Sequence, residues 1–274
     1  MVAAASRQAL SSTRDRLTEL SNSLPDAAGI AGVSDGLFAV VRVLDEVGHL
    51  RRLLADPTAP VEARHALLDS LFGSRIDPLA MQVLKDAVAQ RWSGPRDLVD
   101  GIEVLAVQAR FLVAEADGTL DAVEDELFRF ARIVARAPEL RLALTDAAVE
   151  ADRKKALLEG LIGSRVQPAT LSIITSLVLG PRGRTLEDGL EEYAALAAEI
   201  RQRSVATVTS AIWLDDERRE RLAGALSRVL GRAVQVQVEV DPEVIGGLLV
   251  RIGEEVIDGS TLHRLREARR ALAS

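Results

Sequence analysis

The sequence predicts a mainly α protein: two tandem helical bundles of five to six helices each, sharing a connecting helix, followed by a small C-terminal α/β module. Three observations predict it. At a fixed offset of 90, residues 35–78 align with 125–168 without a gap, and sixteen of the 44 positions are identical, where chance gives about three. Within each copy apolar residues recur at helical spacing between Gly and Pro breakers. From Ser204 onward the period switches to alternation. The 274 residues therefore divide into a first helical bundle (1–103), its copy (104–203) and an α/β module (204–274), a size that suits two or three cores of ordinary extent.

In the first copy Leu37, Val41, Leu44 and Val47 mark one helical face, and Ala63, Ala66, Leu67 and Leu71 mark another. Asp56-Pro57, Gly73-Ser74 and Asp77-Pro78 punctuate them. The run ALLDSLFGSRIDP at 66–78 returns as ALLEGLIGSRVQP at 156–168. Gly73 and Gly163 stand where a helix should stop, and Pro78 and Pro168 suit the first turn of the next, where a missing N–H costs nothing. After that block the offset drifts, with Gly94-Pro95-Arg96 facing Gly180-Pro181-Arg182 and Gly101 facing Gly189. Pro95 to Ala116 lacks a breaker apart from Gly101, so it serves as the last helix of one bundle and the first of the next.

In the third region Val234, Val236, Val238 and Val240 alternate with Gln235, Gln237 and Glu239, the pattern of a strand with one wet face. Val205 to Trp213 and Leu248 to Ile252 are further strands. Asp215, Asp216 and Glu217 load the start of a helix, running to Leu230, with the charge its dipole favours. A final Arg-rich amphipathic helix is capped by Ser260.

Composition excludes much chemistry. There is no cysteine, and only three histidines (His49, His65, His263) and eight aromatics, so thiol nucleophiles, disulfides and structural zinc are set aside. A net charge of -7 and scarce aromatics speak against nucleic acid, which is bound through clustered cations and stacking rings. The longest uncharged stretch, Val166 to Pro181, is too short and too polar to span a bilayer. The first residues lack the apolar core of a secretory signal, so a soluble, intracellular chain is expected. Gly180-Pro-Arg-Gly-Arg-Thr lacks the spacing and lysine of a phosphate loop and reads as an inter-helix turn. The acidic run Glu115 to Glu126 misses the calcium-loop template and reads as a solvated helix start. Arg264, Arg266, Arg269 and Arg270 read as a solvated or partner-facing side. No catalytic residue, metal ligand, cofactor or small-molecule substrate site is expected.

The C-terminal stretch carries a resemblance. Asp241-Pro242, then Val244-Ile245-Gly246-Gly247-Leu248-Leu249-Val250-Arg251-Ile252-Gly253, then Val256-Ile257-Asp258-Gly259-Ser260 and Arg264-Leu265 resemble the C-terminal signature of the delta subunits of F-type ATP synthase, whose mitochondrial counterpart is the oligomycin sensitivity conferral protein. Physically, the paired glycines permit a sharp turn into a strand, and Asp-Gly-Ser closes a hairpin. The resemblance covers about residues 104–274, and the extra N-terminal repeat is similar to delta subunits of actinobacterial type. It implies a non-catalytic peripheral-stalk connector (stator) at the cytoplasmic face of the bacterial plasma membrane. Such a connector joins alpha subunits of the catalytic head to the C-terminal end of the b subunit and resists rotor torque, without entering the membrane. Gly246, Gly247, Gly253, Asp258, Gly259 and Ser260 would then belong to the b-subunit module.

One helix stands out beside it. Leu171, Ile173, Ile174, Leu177, Val178 and Leu179 spread over about 240° at 100° per residue, wider than the stripe needed for packing on one side. It is either the central element of its bundle or one wall of a groove for a partner's amphipathic helix. The resemblance implies the groove, filled by the N-terminal helix of an alpha subunit, with Phe111, Leu112, Leu171, Ile174, Leu177 and Val178 as its residues. Which repeat grips the head stays open, and a free-standing helical-repeat adaptor is the alternative function.

Overall fold

The structure, a computed structural model, describes residues 4–24, 28–230, 234–241, 244, 247–252 and 255–258. The chain forms two compact units, Met1–Ala197 and Ala198–Ser274. The first is helical: α1 (Ala4–Asn22), α2 (Ala28–Glu46), α3 (Gly48–Leu54), α4 (Val61–Phe72), α5 (Pro78–Ala89), α6 (Pro95–Ala116), α7 (Leu120–Arg136), α8 (Pro138–Thr145), α9 (Ala151–Ile162), α10 (Pro168–Leu179) and α11 (Leu186–Ser204). Advanced by 90 residues, α4 lands on α9 and α5 on α10 with the same bounds at both ends, while α1, α2 and α3 land on α6, α7 and α8. The repeat thus extends well beyond the block of matching residues.

Sequence dictates these starts and stops locally. Pro78 and Pro168 occupy the first turns of α5 and α10. The carboxylate of Asp77 accepts from the Leu79 amide at 2.8 Å. In the copy Gln167 replaces that cap, and Glu126 of α7 takes over, accepting from the Gln167 amide at 2.9 Å and from the Thr170 hydroxyl at 2.5 Å. Gly73 and Gly163 do close α4 and α9, but with φ of -54° and -51°. They stop the helix without adopting the left-handed conformation.

Helix α6 is the spine of this unit. Its 22 residues pack against α1, α2, α3 and α5 of the first repeat and against α7 and α10 of the second. Leu98, Ile102, Leu105, Ala106, Ala109 and Phe111 are all fully buried, on every side of the helix. Each large apolar side chain so enclosed contributes about 1.5–3 kcal/mol. Gly101 makes room for the Trp92 ring, which a Cβ there would meet at 2.2 Å. Trp92 is fixed by a 2.8 Å hydrogen bond from its indole N–H to the Ala87 carbonyl. Gly189 of α11 plays the same part, since a Cβ would fall 2.6 Å from Leu177.

The second unit holds β1 (Val205–Ser210), α12 (Asp216–Leu230), β2 (Gln235–Val240), β3 (Leu248–Ile252) and β4 (Glu255–Asp258). They form one sheet of order β2-β1-β3-β4. β1 and β2 are parallel, joined through α12 as a crossover, and β1–β3 and β3–β4 are antiparallel. Ala206, Val208, Leu214, Leu226, Val234 and Val250 make the core. Asp215 caps α12, its carboxylate accepting from the Arg218 amide at 2.8 Å. Two expectations change here. β1 ends at Ser210, leaving Ile212 and Trp213 60% and 63% exposed, and the hairpin after β3 contains a fourth strand. The expected C-terminal helix from Ser260, with its arginines and His263, lies outside the described residues.

Candidate functional site

The first unit contains a groove of about 840 Å³ walled by α2 on one side and by α9 and α10 on the other. Helix α10 divides its surface cleanly. Leu171, Ser172, Thr175, Ser176 and Leu179 line the groove and span an arc of about 140° at 100° per residue. Thr170, Ile173, Ile174, Leu177 and Val178 occupy the remaining arc and are buried in the bundle. The wide apolar arc read from the sequence therefore faces two different surroundings.

Of the six residues expected to form the groove, Leu171 lines it. Phe111, Ile174 and Leu177 are fully buried, and Val178 and Leu112 are 3% and 9% exposed. These five are packed inside the bundle on α6 and α10 and present almost no surface in the isolated chain. The residue that the sequence reading missed comes from α2: Phe38 faces Leu171 and Leu179 across the groove, with Val41, 4% exposed, behind it. The available signal was the repeat itself, because Phe38 recurs as Phe128, where the ring is 52% exposed.

The first repeat lacks an equivalent apolar lining. Where α10 has Leu171, Thr175 and Leu179, α5 has Met81, Lys85 and Ala89. Lys85 forms an ion pair with Asp69 at 2.7 Å, and its carbonyl lies 3.0 Å from Nε2 of His65. Asp86, next to it, has its carboxyl pushed up by burial in spite of the Arg16 and His65 charges.

A cluster of charged groups closes one end of the groove. Glu103 of α6 is 1% exposed and would be costly there unpaired. It pairs with Arg182 and, at 2.6 Å, with Arg184, both from the α10–α11 turn. Arg182 also reaches Asp45 of α2 at 3.0 Å and Asp100 of α6 at 3.2 Å. The turn holds Arg182 at φ 45° and Gly183 at φ 81°, so the arginine sits in a left-handed conformation that side chains other than Gly and Asn disfavour. Arg184 donates to Glu192 at 2.9 Å and lies 5.5 Å from the centre of the Tyr193 ring. Burial raises the Tyr193 hydroxyl's pKa, against the nearby guanidinium groups. Burial also raises that of Asp100, with Arg182 and Arg184 opposing it. The Gly180–Thr185 segment is the inter-helix turn expected, and it binds charge within the chain.

Among the described residues no group of His, Asp and Glu is placed to hold a metal, and no helix is long and apolar enough to cross a membrane. In the C-terminal unit Gly247 has φ 83°, which supplies the sharp turn into β3. Asp258 ends β4 opposite Leu249. Gly246, Gly253, Gly259 and Ser260 lie outside the described residues.

Residues 107–272 match the family described as ATP synthase delta (OSCP) subunit. The chain belongs to that family. It is 46% identical to the ATP synthase subunit delta of Streptomyces coelicolor over 98% of both chains. It is 43% identical to that of Thermobifida fusca over 95% of this chain and 98% of the relative. Delta subunits are non-catalytic, in keeping with a site made of packing surfaces and ion pairs. A chain of the Toxoplasma gondii mitochondrial ATP synthase hexamer is similar at 25% identity over 61% of this chain and 95% of its own, with a TM-score of 0.29. The duplicated length is shared with these bacterial delta subunits, since the match runs nearly end to end.

Proposed function

We propose that this delta-family chain is the peripheral-stalk connector of an F-type proton-translocating ATP synthase. In this reading it joins alpha subunits of the catalytic head to the b subunit and resists the torque of the rotor. The single observation that carries it is the near end-to-end match to ATP synthase delta subunits. The groove beside α10 receives the N-terminal helix of an alpha subunit, with Leu171 in contact and Phe111, Leu112, Ile174, Leu177 and Val178 holding the wall rigid. The C-terminal module, through the Gly246-Gly247 turn, Gly253 and Asp258-Gly259-Ser260, holds the C-terminal end of b. The protein works peripherally, at the cytoplasmic face of the plasma membrane.

Physical chemistry supports such a role. A connector under load needs slow dissociation, which large apolar contacts of about 1,200–2,000 Å² in total supply. It also needs a stiff body, and α6 runs unbroken through both repeats. The test is affinity capture of the full chain from native membranes in mild detergent. Recovery of alpha and b subunits together with it is expected; a chain recovered without either overturns the reading.

A further inference from the structure

We infer that the first repeat is part of the alpha-subunit site, with α2 forming the second wall of the groove; this rests on the proposed connector function. The family match begins at residue 107, so α9 and α10 fall within it and α2, residues 28–46, does not. Yet the groove is made by both. Phe38 of α2 supplies apolar surface opposite Leu171 and Leu179 of α10, with the buried Val41 packed behind the same wall. Two facing helical ridges with an open channel between them accept a third helix, whose body is about 10 Å across.

The charges on the rims state the chemistry of the occupant. Arg42 and Glu46 stand exposed on α2, and neither has an ion-pair partner among the described residues. Lys155 and Glu159 stand exposed on α9, on the facing rim, Lys155 in an exposed pair with Asp152 at 3.0 Å that a partner's acid can replace. Each rim thus offers a cation and an anion four residues apart, which is one helical turn. The occupant is an amphipathic helix with an apolar stripe flanked by acids and bases at the same one-turn spacing. Arg182 anchors the α2 wall, because its pairs with Asp45 and Glu103 tie α2 to α6 and the α10–α11 turn.

Calorimetric titration of the full chain with a peptide of the alpha subunit's N-terminal helix tests this. Leu171→Ser probes the α10 wall. Phe38→Ser probes the α2 wall, and Arg42→Glu probes it again at an exposed position whose change costs the fold little. Each is expected to weaken binding by at least about tenfold, with unfolding midpoints of the Arg42→Glu and wild-type chains alike. Weakening by Leu171→Ser alone, with both α2 variants within about twofold of wild type, overturns the two-walled site and leaves the connector function standing. Unchanged affinity in all three overturns the groove as the alpha-subunit site altogether.

Discussion

Ile174 and Leu171 lie three positions apart on α10 and differ completely in circumstance. Ile174 is fully buried in the bundle, and Leu171 looks into the groove. A carboxylate at 174 would be enclosed without a partner and would remove a packed side chain. Ile174→Asp should therefore destabilise the helical unit by about 3–5 kcal/mol, while Leu171→Asp should change stability by less than about 1 kcal/mol. Urea unfolding followed by circular dichroism checks both, and equal midpoints would show that the division of α10 into two faces is wrong. The sequence reading recognised α10 as unusual because its apolar positions exceed one stripe. It could not rank Leu171 against Ile174, because both are aliphatic and only the placement of α6 and α7 against one side of α10 separates them.

At the level of elements, α2, α4, α5, α6, α9 and α10 were legible from Pro and Gly breakers and 3.6-residue spacing, while α1, α3, α8 and α11 were covered only by the expected count of helices per bundle. β4 was not legible, being only four residues long and set among glycines and acids. The charged cluster at the α10–α11 turn was also hidden, since it joins residues 137 and 81 positions apart in the chain. A partial signal existed: Glu103 stands alone in the apolar stretch Ile102 to Val107, and a lone carboxylate on a buried face requires a cation. Arg182→Ala removes one of its two partners and should cost toward the low end of about 3–5 kcal/mol, because Arg184 remains. Arg182→Gly should recover about 1 kcal/mol of that, since glycine adopts φ 45° without strain. Thermal melts that placed the alanine variant level with the wild type would dispose of the cluster as a fastening.

For the molecule as a whole, the sequence divides the first 203 residues at 103/104, a point in the middle of α6. Because α6 is core to both repeats, we propose that they unfold together. Scanning calorimetry of the full chain should give two transitions, one for the eleven helices and one for the C-terminal sheet module. Three transitions would mean that the repeats are energetically separate despite the common helix. The duplication was visible from residue identities alone, as was the change of period near Ser204. The α10 wall of the groove was expected with Leu171 in it, but the α2 wall was not, because it comes from the other repeat brought alongside.

The sharing of α6 has a genetic corollary. Among the described residues each 90-residue period contributes five helices, and α11 closes the series in the position that α6 holds in the first copy. One period plus a closing helix makes a bundle of six, and two periods make eleven. In-frame recombination within the matched blocks, 35–78 against 125–168, where the offset is constant, would remove one period and leave five helices and the closing α11 with no half-helix. The arrangement of helices thus allows the chain's length to change by a whole repeat in a single genetic event.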